Sequence, residues 1–490
     1  MNCVQIPIPG TKLVIGTGML SVIGTSFGFL PVFETSIAAM RDDGVDPMDA
    51  YGKMLGTTMV CCFLEIFLSF MPKPLLRKLF PPIVTGPSIM LTGAGLTGTG
   101  IKYWGGGAVC AETHWKNHQH AYPLVGGFGG NFVTDKLGNA TAYKMIPAIP
   151  GRACGGKTCC EAGDVLLPFG SPELIGLGFS VIIMLVLVEL FGSPFMKNCN
   201  VIIALLFGYF VAGVSEKCVG DQCNSYVTDT KIELADSITF LWTTTFKIGF
   251  YGPAVFPLLI SFIVTTIETI GDVGATYDAS EEPRDTPEYD QSIQGGLLSD
   301  GLCSFFSALA TGMPNTTFSQ NNGVISLTKC ASRRAGVAAG VWLLFMGILA
   351  KVSGVVSSIP DCVIGGMTTF LFCNVFISGL KVTAGADLNS RRNRVILAIS
   401  MGIGLGVAMV PNIVADFRAS YGTSPFWPCR GQFRDGNECK DNEKAVRDGV
   451  LIFLSTPYCV GTALALVLNL ILPEDMEILR KDKMVSETNA

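Results

Sequence analysis

The chain has 490 residues, 49% of them hydrophobic and 15% charged, with a mean hydropathy of +0.47, which is too apolar for a soluble enzyme of this length. Its net charge of −5 is spread out with no basic block, so nothing points to nucleic acid as a partner. The composition predicts an all-α polytopic membrane protein set in a lipid bilayer.

Taken in chain order, apolar stretches lie near 13–33, 51–70, 83–101, 174–191, 199–215, 249–272, 293–312, 317–329, 335–353, 359–380, 394–413 and 450–472. These are about twelve spans, each near the roughly 20 residues that cross a bilayer. The first run is too long for a secretory h-region and has no small-residue cleavage site behind it, so it reads as a span. Two stretches, 13–33 and 317–329, are rich in Gly, Thr, Ser and Pro instead of Leu, and broken or extended spans are expected there. Basic residues prefer cytoplasmic loops. Lys73, Arg77, Lys78, Lys197, Arg333, Arg334, Arg391, Arg392, Arg394, Arg480, Lys481 and Lys483 all fall on one side under simple alternation. Both termini are then cytoplasmic, and the loops 102–173, 216–248 and 414–449 face outside.

Each outer loop holds an even number of cysteines: Cys110, Cys154, Cys159 and Cys160, then Cys218 and Cys223, then Cys429 and Cys439. Disulfides persist in oxidising compartments, so Cys218 is expected to pair with Cys223 and Cys429 with Cys439. Asn139-Ala140-Thr141 is a glycosylation acceptor pattern in the same orientation. His114, His118 and His120 read as scattered histidines of a polar loop, and no metal or cofactor is expected.

Two segments echo each other. Gly24-Thr25-Ser26-Phe27-Gly28 resembles Asn315-Thr316-Thr317-Phe318-Ser319, and further on Phe80-Pro81-Pro82-Ile83 resembles Ile359-Pro360-Asp361-Cys362. The order is the same in both cases, which is the mark of inverted repeats that cradle substrate between discontinuous spans. Two spans precede Phe318 in the second half, whereas the residues before Phe27 leave no room for their counterparts. Two N-terminal spans are therefore expected to be missing, with an open groove beside the spans at 249–272 and 293–312.

Glu268 and Asp272 are four residues apart and share a helix face, and Asp300 lies in the next span. An acid at the bilayer centre costs roughly 2.5–3.5 kcal/mol, so such residues usually face a cavity. Glu65 and Glu189 read instead as helix-end acids that reach water or cap a neighbour. The run from Gln320 to Lys329 holds too many groups that compete with helical backbone for an ordinary span. An unwound segment beside a cavity fits it, and amide bridges between helices are the alternative.

The pattern Gln320-Asn321-x-Gly323-x-x-x-x-Thr328-Lys329 resembles the signature of the nucleobase-ascorbate transporter family, and Glu268-Thr269-Ile270-Gly271-Asp272 resembles its acidic span. The similarity covers essentially the whole chain and looks like that of the family's fungal xanthine and urate permeases. The resemblance implies fourteen spans in two inverted seven-span repeats, a core domain packed on a gate domain, and a homodimer. This chain would supply spans three to fourteen. Residues 13–80 and 249–358, the latter with the substrate site, would be core. Residues 81–248 and 359–472 would be gate, and 473–490 a cytoplasmic tail.

The same resemblance implies a transporter, not an enzyme, that imports purine bases such as xanthine and uric acid by proton symport across the plasma membrane. Glu268 and Gln320, with Asn321, would read the alternating donors and acceptors on a purine's edge. Phe318 and Phe27 would stack on the ring or offer backbone groups, and Ser319 a backbone contact. Burial disfavours the charged form of a carboxyl, which makes Glu268, Asp272 and Asp300 the members of the proton relay. Ascorbate carriers have proline, and uracil permeases glutamate, where this chain has Gln320. Uracil and ascorbate are thus the alternative substrates. The family's first span carries a Gln-His pair that nothing before Lys12 supplies, so a non-transporting, truncated member or modulatory dimer partner is the alternative reading.

Overall fold

The computed structural model describes residues 2–107, 161–410 and 449–473, except 12, 43, 72–74, 76–77, 163–164, 168, 220–221, 228–231, 234, 241–244, 284–285, 319–324, 326–329 and 451. The chain folds as two compact units. One comprises Met1–Leu96, Thr239–Ile348 and Cys373–Ala490, and the other Thr97–Ile238 and Leu349–Phe372.

In chain order the first unit opens with β1 (Ile6–Pro7), β2 (Val14–Ile15) and β3 (Ile23–Thr25), followed by a 3-10 turn at Phe27–Phe29. Next come α1 (Leu30–Asp42), α2 (Pro47–Cys61), α3 (Phe63–Ser69) and α4 (Pro82–Trp104), which runs on into the second unit. The second unit adds β4 (Glu161–Ala162), β5 (Val165–Leu166), α5 (Pro172–Phe191), α6 (Pro194–Asn198) and α7 (Asn200–Val214), then β6 (Glu216–Val219) and β7 (Gln222–Ser225). The chain returns to the first unit for α8 (Val255–Ala279), α9 (Pro287–Leu309), β8 (Asn315–Thr317) and α10 (Arg333–Ile348). The last helices are α11 (Ala350–Ser357), α12 (Asp361–Ala384), α13 (Arg391–Met409) and α14 (Pro457–Ile471).

Many helix starts are written in the sequence as a capping side chain followed by proline, which supplies an acceptor for orphan N–H groups and a preset φ. Asp46-Pro47 opens α2, Ser171-Pro172 opens α5, Ser193-Pro194 opens α6 and Thr286-Pro287 opens α9. Among the described residues, five helical stretches are long and apolar enough to cross a bilayer: Pro47–Ser69, Pro172–Phe191, Gly252–Tyr277, Asp361–Ala384 and Arg391–Met409. In the second unit α5 packs on α7 around Val181, Leu185 and Ala204. The same helices expose Phe179, Leu190, Ile202, Leu206 and Phe210, outward apolar faces of the kind that membrane-spanning helices present. The chain is an all-α polytopic membrane protein with a few short strand pairs.

Both stretches expected to be broken contain extended backbone, and they meet. β3 and β8 pair antiparallel, Ile23 with Thr317, Gly24 with Thr316 and Thr25 with Asn315. Exchanging the echoing segments turns the Gly24–Thr316 pair into Thr25–Asn315, which is also a pair, so the register obeys the repeat. The second echo behaves the same way: α4 and α12 begin at its matching positions, Pro82 and Asp361. Within the first unit these two helices touch where a Cβ on Gly86 would lie 2.0 Å from Thr383 Oγ1. Within the second, a Cβ on Gly365 would lie 2.0 Å from Trp104 N.

Two expectations need correction. The stretch 335–353 was expected as one plain span but breaks at Leu349 into α10 and α11. There the Ile348 carbonyl accepts a bond from the Thr239 N–H at 2.9 Å, from outside the helix. The groove expected beside 293–312 is covered along the first part of α9 by the extended N-terminal residues. Gly16 N–H donates to the Gly295 carbonyl at 2.9 Å, Val14 N–H to Gln294 Oε1 at 3.1 Å, and Ser292 Oγ to the Thr17 carbonyl at 2.7 Å. Gly295 permits this approach, since a Cβ there would sit 2.3 Å from the Gly16 carbonyl oxygen. All but the first residue of the expected tail 473–490, and most of the loops 102–173 and 414–449 expected to face outside, including Cys429 and Cys439, lie outside the described residues.

Candidate functional site

The site is built inside the first unit, where α8, α9 and β8 converge. On α8, Glu268 and Asp272 follow one another at one helical turn, with Thr269 between them. Glu268 is half-buried, whereas Asp272 and Thr269 are buried, so of these three it is Glu268 that meets open space. From α9, Asp300 points into the same cluster with no exposed surface. β8 lies along both helices and supplies hydroxyls. Thr316 Oγ1 donates to Glu268 Oε2 at 3.3 Å, and Thr317 Oγ1 donates to Asp272 Oδ2 at 2.8 Å. Thr269 Oγ1 donates to Asp300 Oδ2 at 2.7 Å.

A further contact joins these pairs. Thr317 Oγ1 also lies 3.3 Å from Thr269 Oγ1, but one hydroxyl has one hydrogen to give. With Asp272 ionised, that hydrogen goes to Asp272. With Asp272 protonated, its O–H can donate to Thr317, which then gives its own hydrogen to Thr269, as Thr269 does to Asp300. The row Asp272–Thr317–Thr269–Asp300 therefore has two hydrogen-bond orders that differ by a proton. Its 3.3 Å gap is beyond the usual O–H···O range of about 2.5–3.0 Å, so the second order requires that one contact to close.

Phe318 is half-buried, and its N–H extends the ladder by donating to the Val22 carbonyl at 3.0 Å. Its ring lies over Gly24, where a Cβ would be 2.6 Å from ring carbons Cε2 and Cζ, so the glycine is required by that approach. Phe27 opens the 3-10 turn after Ser26, whose hydroxyl accepts from Gly28 N–H at 3.2 Å, and its side chain is 46% exposed. Behind it Tyr458 of α14 donates to the Gly28 carbonyl and meets Ser261 Oγ at 3.3 Å, tying α14 and α8 to this turn. Ser319, Gln320 and Asn321 lie outside the described residues. The structure thus brings Glu268, Asp272, Asp300 and Phe318 to one place.

One acid was misread from the sequence. Glu65 was expected to reach water from a helix end, as Glu189 does at 64% exposure beside Lys197, or to cap a neighbour, and neither of its oxygens has a partner among the described residues. Instead it has no exposed surface, because α3 lies directly on α9: a Cβ on Gly301 would be 2.7 Å from Ile66 Cγ1 and 3.1 Å from Ile66 N. The threonines that link the acids were also not singled out. Their only sequence signal is position, with Thr269 between two acids and Thr316 and Thr317 before an unwound run.

Known proteins place this arrangement in a lineage. A family model described as Permease family, Xan_ur_permease, matches residues 10–125 and 147–413. The chain is 36% identical to a uric acid-xanthine permease of Emericella nidulans over 95% of this chain and 71% of that protein. It is also 36% identical to a purine permease of the same organism, again over 95% of this chain and 71% of that protein. A xanthine permease, XanP, of Escherichia coli is 28% identical over 82% of this chain and 73% of its own length. The chain therefore belongs to the Xan_ur_permease family of permeases, the nucleobase-ascorbate transporters.

Proposed function

We propose that the chain imports purine bases, xanthine and uric acid foremost, by proton symport across the plasma membrane, with both termini cytoplasmic and as a homodimer. One observation carries the reading: a half-buried carboxylate, Glu268, backed by two buried acids, Asp272 and Asp300, with the hydroxyls of Thr317 and Thr269 in a row between them. Glu268 is placed to accept hydrogen bonds from a ring N–H while the acids behind it hold or pass a proton. Gln320 and Asn321, which follow β8 in sequence, supply donors and acceptors to the same edge. Phe318 and the exposed Phe27 offer faces for stacking, and Ser319 a backbone contact. We keep the core assignment for 13–80 and 249–358 and the gate assignment for 81–248 and 359–472. The names of the relatives, purine, xanthine and uric acid permeases, agree with the substrate class.

The test is uptake of labelled xanthine, uric acid, uracil and ascorbate by cells expressing the chain, in the parent and in Glu268→Gln and Gln320→Glu. Purine uptake that rises as the outside is acidified, and that falls in both variants, supports the reading. A site that loses one partner leaves the other buried and unsatisfied, at about 1–3 kcal/mol. Sodium-driven ascorbate uptake overturns the substrate class. A chain that moves nothing alone but alters the uptake of a co-expressed purine permease establishes the modulatory alternative.

A further inference from the structure

The relay described above ends at Asp300, yet Asp300 is not the last buried acid. Its Oδ2 takes the Thr269 hydroxyl, whereas its Oδ1 has no hydrogen-bond partner among the described residues. On α3, which packs against α9, both carboxyl oxygens of Glu65 also lack a partner among the described residues. Thr265 lies within reach of Glu65 but directs its hydroxyl to the Phe262 carbonyl at 3.1 Å. The contact of Gly301 with Ile66 presses together the turns that carry Asp300 and Glu65. The titratable groups facing Glu65 are Asp300 and Cys303 from α9, Glu268 from α8 and Cys62 at the start of its own helix. All are acids or thiols.

Two fully buried carboxylates on adjoining turns, neither with a cation among the described residues, are not a stable arrangement, because each charge loses its hydration and feels a like charge. One proton between them removes both costs: the protonated carboxyl donates to the open oxygen of the other. We propose that Glu65 and Asp300 share one proton across the contact of α3 with α9, making Glu65 a further proton-carrying residue at the buried end of the relay. When the proton moves, the O–H bond on one carboxyl breaks as that on the other forms. A proton arriving along Thr317 and Thr269 then finds Asp300 able to take it only if its own proton has passed to Glu65. The role in transport rests on the proton-coupled reading above, but the shared proton is a property of the pair and is tested separately.

Infrared spectra of the purified chain in lipid nanodiscs at neutral pH, without substrate, should show the carbonyl band of a protonated carboxylic acid that Glu65→Gln removes or displaces. A spectrum that Glu65→Gln leaves unchanged overturns the proposal whether or not the chain transports, as does a band that appears only when sodium is withdrawn, which would mean a bound cation. In uptake assays Glu65→Gln should reduce proton-driven xanthine accumulation about ten-fold or more beyond any loss in xanthine binding, the scale of a lost coupling. Accumulation with the parental pH profile overturns the role in the relay. Should Glu65→Gln fail to reach the membrane, Glu65→Asp retains a titrating group: its band should persist at a displaced frequency, and an unchanged band counts against the pair.

Discussion

Replacing Thr317 by valine removes one hydroxyl and almost nothing else, since the two side chains have nearly the same shape. That hydroxyl donates to Asp272 Oδ2 at 2.8 Å and stands 3.3 Å from Thr269 Oγ1, so it is the joint between the two halves of the proposed relay. A hydrogen bond to a charged group contributes roughly 1.5–3 kcal/mol, which corresponds to about 10- to 150-fold in an equilibrium or rate. The loss should fall on proton-driven accumulation more than on binding, because Glu268 keeps its own donor, Thr316. Thr317→Ser is the control. It keeps the hydroxyl and drops one methyl, costing about 0.8 kcal/mol of burial. Xanthine uptake against inward and outward proton gradients, with binding measured separately, reads both. Proton-driven uptake by Thr317→Val equal to the parent's, or a fall in Thr317→Ser as deep as in Thr317→Val, refutes the assignment.

Gly24→Ala should displace the Phe318 ring, whose carbons stand 2.6 Å from the added Cβ; xanthine binding should weaken by more than the melting temperature in detergent falls, and equal small effects on both would argue against a substrate-facing ring. Gly365→Ala pushes a methyl to 2.0 Å from the Trp104 backbone nitrogen, which cannot yield as a side chain can, and should destabilise the second unit by about 1–3 kcal/mol or more. Gly340→Ala, with nothing within 4 Å of the new methyl, should be neutral or stabilise its helix by up to about 1 kcal/mol; thermal melts of the two variants side by side check the contrast. The register of β6 and β7 sets Cys218 opposite Cys223, and facing strand residues have Cα atoms about 4.5–5.5 Å apart, within the span a disulfide bridges. Mass spectrometry of unreduced peptides should find that pair linked, and free thiols at both positions would exclude it.

What the sequence disclosed depended on whether the information was local. That the segments of β3 and β8 leave the helix was legible because both carry the same short polar pattern, and a repeat transmits geometry from one copy to the other; their pairing with each other was not foreseen. The starts of α4 and α12 were legible for the same reason. The burial of Glu65 was not, because it comes from the absence of a side chain at Gly301, more than two hundred residues away, and no periodicity around Glu65 reports that. Its place three residues after Cys62, where α2 gives way to α3, even imitates a helix end. The break at Leu349 was hidden because the apolar run continues through it, while the group that takes the Ile348 carbonyl, Thr239, sits in an unremarkable loop. Glu268, Asp272 and Asp300 were found because ionisable residues in apolar spans are rare, whereas the threonines between them look like any other helix-compatible polar residue.

The pairing of β3 with β8 also sets where this chain can tolerate changes of length. A slip of one residue in a strand turns every side chain to the opposite face, and here it would offer Phe318 to Asp272 and Thr317 to Glu268. The ladder has three residue pairs, too few to hold its own alignment, so its register is held by the helices around it. An insertion or deletion inside Ile23–Thr25 or Asn315–Thr317 would leave the helices in place and exchange the groups that meet their acids. Insertions and deletions that natural variation permits should therefore gather in the long loops between the helices, while these two strands keep a fixed count of residues even where their side chains drift.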